Sequence, residues 1–159
     1  MIKKTKKLEA ILWSIAFPGF GQLLNGHLLK GIIFIILEFT INIMSSFNQA
    51  IMYSFLGEIP KAYEVVNYQW LMFYPCVYMY AMYDAYKFAD GENPRLSFIP
   101  FAFGAYFVTV GLMYSPNKIF DISLGPIWLP MISLIPGLSI GFIIQYILIR
   151  YGSKQKFNK

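Results

Sequence analysis

The stretch "FPGFGQLLNGHLLKG", residues 17–31, decides the fold. Pro18, Gly19, Gly21, Gly26 and Gly31 interrupt helix propagation, and Gln22, Asn25 and His27 bring hydrogen-bonding side chains. An apolar run lies on each side. The upstream run, residues 8–17, would make about 15 Å of helix at 1.5 Å per residue, roughly half the hydrocarbon thickness of a bilayer. The expectation is a half-membrane hairpin over residues 8–27, either re-entrant or lying in the interface. Its broken backbone needs protein partners, because lipid cannot satisfy exposed amides. Gln22, Asn25 and His27 are the nearest candidates.

The remainder of the chain explains why a bilayer is the relevant solvent. Of 159 residues, 57% are hydrophobic and 13% charged, about half the charge of an ordinary soluble domain. Four further segments reach the roughly 20 residues a crossing needs: 28–48, 68–89, 96–115 and 127–150. The expected fold is therefore an all-α membrane protein, a single integral domain of four transmembrane helices plus the N-terminal hairpin. Trp70 and Trp128 fall at expected outer helix ends, where interfacial anchoring suits indole. Pro75, Pro130 and Pro136 are expected to kink the helices that hold them.

Charge placement orients the chain. If the first apolar run does not cross and Lys3–Lys7 are cytoplasmic, then Lys30, Lys87, Arg95, Arg150, Lys154, Lys156 and Lys159 are cytoplasmic too. Only Lys61 and Lys118 remain outside, which satisfies the positive-inside rule; letting the run cross splits the thirteen basic residues almost evenly. Both termini are thus expected in the cytoplasm. The net charge of +5 follows this pattern and is not read as a nucleic-acid surface. The partners expected are the lipid bilayer and another membrane protein or a second copy. A single cysteine, Cys76, and a single histidine leave no zinc constellation, so no metal or cofactor is expected. The basic, apolar start resembles a signal peptide, but Glu9 interrupts it and Pro-Gly follows instead of a small-residue cleavage site, so retention is expected.

"PGFGQLLNGHLLKG" fits P-G-x-G-Q-x-x-x-G-x-x-x-K-G and resembles a segment of small bacterial multi-pass membrane proteins, distant relatives of the TM-two domain family. In those proteins a later helix often ends in an aspartate–alanine pair among aromatics, as "MYDAYKFA" does here with Asp84-Ala85. The resemblance covers residues 16–38 and 83–89. It implies a glycine-rich helix connection preceding a spanning helix; it implies no catalytic activity.

The polar residues of the second segment are Gly31, Glu38, Asn42, Ser45 and Gln49. At 100° per residue they fall within about 40° of one line, a single polar stripe. A carboxyl group in lipid must face protein, water or a partner. Two readings stay open for Glu38: hydrogen bonding between helices in its neutral form, or an ion or proton path. The six tyrosines of residues 68–86 surround their helix and are expected to pack it between neighbours. "DGENPR", residues 90–95, resembles the opening of the CDP-alcohol phosphotransferase signature, but the two aspartates that signature requires fall on Val108 and Leu112, so an enzyme is not expected. Asp84 is expected to cap the "GQLLNG" turn at the positive end of the next helix, with Gln22 and Asn25 assisting, and so to clamp the hairpin. The competing reading pairs Asp84 with Lys87 at a wet surface. Together with Pro18, Gly19, Gly21, Gly26, Lys30, Gly31, Glu38 and Asn42, these are the candidate residues. The expected function is non-catalytic: an accessory, scaffold or assembly component of a bacterial cytoplasmic membrane. The alternative is a small channel or proton-coupled transporter using Glu38.

Overall fold

A computed structural model describes the backbone of residues 5–119 and 121–157 and the side chains of 5–119 and 121–151; Lys3, Lys4 and Lys159 lie outside them. The described chain is all-helical. Its helices are α1 (Lys7–Ala16), α2 (Phe20–Leu24), α3 (Leu28–Ser45), α4 (Phe47–Phe55), α5 (Ile59–Val65), α6 (Tyr68–Leu71), α7 (Tyr74–Phe88), α8 (Phe98–Tyr114) and α9 (Gly125–Phe157). Two isolated bridges, Lys6 with Asp90 and Ile119 with Ile122, are the β pairings among the described residues. Among the described residues two helices are long and apolar enough to cross a membrane, α3 and residues 125–151 of α9.

The first residues fold as a helix–turn–helix of α1 and α2, and its backbone shows why these residues make it. A residue before proline is pushed out of the helical region; Phe17 is extended at φ −160° and closes α1 by donating its amide to the Trp13 carbonyl at 2.9 Å. Gly19 then adopts φ +106°, which favours glycine. A Cβ there would lie 2.5 Å from the Gly31 carbonyl oxygen and 2.8 Å from Ile35 Cγ1. Gly19 and Gly31 are thus the point where the hairpin backbone crosses α3. Gly26, at φ +82°, turns the chain from α2 into α3.

Contacts with α7 fix the hairpin's course. The chain enters beside the end of α7, with the Asp90 amide donating to the Thr5 carbonyl at 2.9 Å. It ascends antiparallel, Ala10 packing with Ala85 and Ala89, until the Tyr78 hydroxyl donates to the Ile15 carbonyl. It then returns beside Ala81 and Ala85. From residue 90 to residue 78 is about 18 Å of helical rise, so the chain reverses partway along α7.

Three expected segments change shape. Segment 28–48 ends as a helix at Ser45, because Ser46 is left-handed (φ 56°) and the chain re-enters helix as α4. Segment 68–89 is divided at residues 72 and 73. Pro75 has no N–H and its ring excludes the carbonyl four residues back, which is Leu71, the last residue of α6. The expected kink is therefore a break. In α9 the opposite holds: the helix runs through both Pro130 and Pro136 for 33 residues. Close approach of α8 holds it there, for a Cβ on Gly137 would sit 2.7 Å from Phe107 Cβ and one on Gly141 2.6 Å from Pro100 Cα. Ser133, Gly137 and Gly141 recur every fourth residue, the small-residue spacing of close membrane helix pairs.

Above this bundle α4 and α5 form a short cap. Trp128 at the start of α9 donates to the Ser54 carbonyl at 3.2 Å and packs on Phe55. Tyr63 of α5 donates to the Ser115 carbonyl at 2.6 Å.

Candidate functional site

The site is built where α2 and the start of α3 meet α7. Ala81, Asp84, Ala85 and Phe88 recur at spacings of three and four and so share one α7 face. Ala81 and Ala85 are fully buried, and their small side chains let α1 and α2 approach. Gly21 completes the contact: a Cβ there would lie 2.6 Å from Ala85 Cβ and 2.7 Å from the Ala10 carbonyl oxygen.

That proximity places amide side chains directly on helix backbone. Gln22 is fully buried. Its Nε2 donates to the Ala81 carbonyl at 2.7 Å and to Asp84 Oδ2 at 3.2 Å. Asn25, three residues on and also buried, donates to the Ala85 carbonyl at 2.8 Å. The Ala85 carbonyl already accepts the Ala89 amide at 3.1 Å, so its second lone pair holds the hairpin. The other Asp84 oxygen, Oδ1, accepts from Lys30 Nζ at 2.7 Å. One carboxylate therefore joins α2, α3 and α7.

The clamp corrects the sequence reading in its mechanism. Neither α2 nor α3 receives a side-chain cap at its N-terminus; Asp84 binds side chains, not the first amides of either helix. Helix side chains tilt toward their N-terminus, so Lys30 delivers its ammonium to the start of α3, where the dipole also favours an anion. The pairing of Asp84 with Lys87 does not occur either. Lys87 is exposed, its ammonium 5.9 Å from the Tyr83 ring centre and 5.7 Å from that of Phe88. His27 sets its ring edge-on against Phe88 at 4.8 Å.

The α3 stripe holds over four of its five members. Gly31, Glu38 and Ser45 are buried, and Asn42 is half-buried, donating to Asn48 Oδ1 at 3.0 Å. Gln49 leaves the stripe, because Ser46 redirects the chain into α4, where Gln49 is exposed. Glu38 Oε1 accepts from the Tyr74 hydroxyl at 3.0 Å, and Tyr74 stacks on Tyr78 at 5.3 Å. The tyrosines serve different neighbours: Tyr74 meets α3, Tyr78 meets α1, and Tyr83 and Tyr86 pack on Phe101 of α8.

Two features had no counterpart in the sequence reading. The first is the small-residue seam of Ala10, Ser14, Ala81, Ala85 and Ala89, legible as fourth-residue spacing on α1 and α7. The second is the tie between the N-terminus and "DGENPR". Lys7 Nζ donates to Asn93 Oδ1 and, at 3.2 Å, to the Tyr86 carbonyl. Asn93 in turn donates to the Lys87 carbonyl at 2.9 Å. Desolvation pushes the Lys7 ammonium below its ordinary value, with Asp90 opposing. Among the described residues no group of three His, Cys, Asp or Glu is placed to hold a metal ion.

Comparison of the chain with protein-family models, with curated proteins and with solved structures finds no match.

Proposed function

We propose that this chain is a non-catalytic, multi-pass component of a bacterial cytoplasmic membrane, an accessory, scaffold or assembly protein that acts through its helical surfaces. The bacterial assignment rests on the resemblance of residues 18–31. In this reading α3, the α6–α7 pair, α8 and α9 cross the bilayer, α1–α2 is re-entrant from the cytoplasmic side, and both termini are cytoplasmic. Only 11% of the apolar stretch of α9 and 28% of that of α3 is buried against protein. Core helices of a water-soluble domain would be mostly covered, so lipid is the medium that suits these faces. At 15 and 17 residues, α7 and α8 rise about 22–26 Å, within reach of a crossing when α6 extends the first.

The observation that carries the non-catalytic reading is where the inward polar groups spend their hydrogen bonds. Gln22 and Asn25 bind α7 carbonyls, Asp84 binds Lys30, Tyr74 binds Glu38 and Tyr78 binds Ile15. Each bond ties one helix to another, which supports a rigid framework.

Glu38→Gln keeps the acceptor for Tyr74 and removes the titratable group. It is expected to leave membrane accumulation and growth phenotype unchanged, whereas Tyr74→Phe, which removes the tyrosine donor from Glu38, lowers thermal stability by about 1–2 kcal/mol. Proton flux in proteoliposomes separates the alternatives: a wild-type flux abolished by Glu38→Gln at normal protein level would establish the transporter.

Topology has its own check. In a Cys76→Ala background, cysteines at Lys61 or Lys118 should react with an impermeant maleimide in intact cells, and cysteines at Lys6 or Lys156 only after lysis. Labelling of position 156 from outside would remove the four-span model.

A further inference from the structure

Beside the clamp lies a cationic cluster that the clamp does not consume. Lys30 Nζ stands 4.2 Å from the Phe88 ring centre and remains 44% exposed although it pairs with Asp84. Lys87 flanks the same ring at 5.7 Å and, among the described residues, has no carboxylate partner. Among the described residues Asp84 is the acid paired with the cluster, and its side chain is only 6% exposed, so the charge offered outward is positive. Ile33 and Leu37, three and seven residues on from Lys30 and so on the same α3 face, are 47% and 38% exposed. Cations around an aromatic ring, bordered on the membrane side by bare aliphatic side chains, match a phosphate with hydrocarbon attached.

We propose that Lys30, Lys87 and Phe88 form a binding site for the phosphate of an anionic phospholipid, its acyl chains lying along Ile33 and Leu37. The ammonium groups of Lys30 and Lys87 both face the phosphate, Lys87 giving its full charge and Lys30 the share that Asp84 leaves. A basic residue near such a surface contributes enough to change affinity roughly five-fold. The site sits at the ends of α3 and α7 where headgroups lie if the chain spans the bilayer, so the proposal rests on the membrane reading above.

The full chain, purified in detergent, is titrated with short-chain phosphatidylglycerol, short-chain phosphatidylcholine and inorganic phosphate, and retained adducts are read by native mass spectrometry. Phosphatidylglycerol is expected to be retained over phosphatidylcholine. Lys87→Gln should weaken that retention roughly five-fold at unchanged protein yield, and Lys61→Gln, at the opposite end, should not. Equal retention of the two lipids, or no effect of Lys87→Gln, overturns the site. Displacement by inorganic phosphate at equal concentration overturns the lipid source. Reconstitution into phosphatidylcholine vesicles tests the underlying reading by itself: protein removed by alkaline carbonate is not integral, whereas resistant protein without headgroup preference defeats the site alone.

Discussion

Gly21→Leu should abolish accumulation of folded protein, lowering the monodisperse detergent-extracted peak of a fluorescent fusion at least ten-fold. Gly21 is where three helices touch. Even the first added carbon would lie 2.6 Å from Ala85 Cβ and 2.7 Å from the Ala10 carbonyl oxygen, well inside contact distance. Inserting extra methylenes into a packed core costs about 1–3 kcal/mol when neighbours can shift. Here one neighbour is backbone of α1 and another is the Cβ of a buried α7 alanine, so neither yields by rotamer change. A leucine would force α2 off α7 and break the bonds of Gln22 and Asn25 with it. Gly21→Ala should be intermediate and only partly rescued by Ala85→Gly, which removes one of three close approaches and leaves those to the Ala10 carbonyl oxygen and the Ser14 hydroxyl. Gly57→Ala is the control. Its Cβ would meet nothing within 4 Å, leaving only the strain of φ +76°, about 1–2 kcal/mol. A folded, abundant Gly21→Leu protein would mean that α2 does not lie against α7.

The legible parts of this fold were those where a residue type has one physical consequence. Pro18 after an apolar run of ten residues ends a helix, and that is visible in the letters alone; the close backbone crossing at Gly19 and Gly31 appears only in the assembled helices. The breaks at Ser46 and at residues 72 and 73 were not visible as breaks. A non-glycine left-handed residue leaves no composition signal, and the effect of a proline depends on what packs around it. Pro75 ends one helix and begins another, while Pro130 and Pro136 are carried through by the close α8 contact at Gly137 and Gly141. At the site, Gln22, Asn25 and Asp84 could be brought together from the sequence by the depth each would occupy. Lys30 was grouped with them only as a motif residue. Choosing between a backbone cap and a lysine for Asp84 needs the direction of the Lys30 stem, which is a property of the assembled helices. The seam of alanines around Gly21 was overlooked because alanine is unremarkable in any one helix. It acquires meaning only when Ala10 on α1 and Ala85 on α7 face each other.

Lys30→Ala should destabilise the protein more than Asp84→Ala, although both break the same 2.7 Å ion pair. The two ends of the pair sit in different surroundings. The Lys30 side chain is 44% exposed, so without Asp84 its ammonium rehydrates, and the cost is one charge-assisted bond and the second bond of Gln22, about 2–3 kcal/mol. Asp84 is 6% exposed, so without Lys30 its carboxylate keeps only the 3.2 Å bond from Gln22. Leaving a buried charge without its partner costs about 3–5 kcal/mol, more than the pair itself is worth. The ordering therefore identifies which group is trapped. Asp84→Asn introduced into the Lys30→Ala protein should recover much of the loss, because it removes the stranded charge while preserving an acceptor for Gln22. Lys87→Ala, which contacts no carboxylate, should leave thermal stability in detergent unchanged. These four variants form a coupled set that distinguishes a buried clamp from a surface pair. On a wet surface the single changes would be small and equal, the asparagine would rescue nothing, and Asp84 would no longer be what holds the returning hairpin to α7.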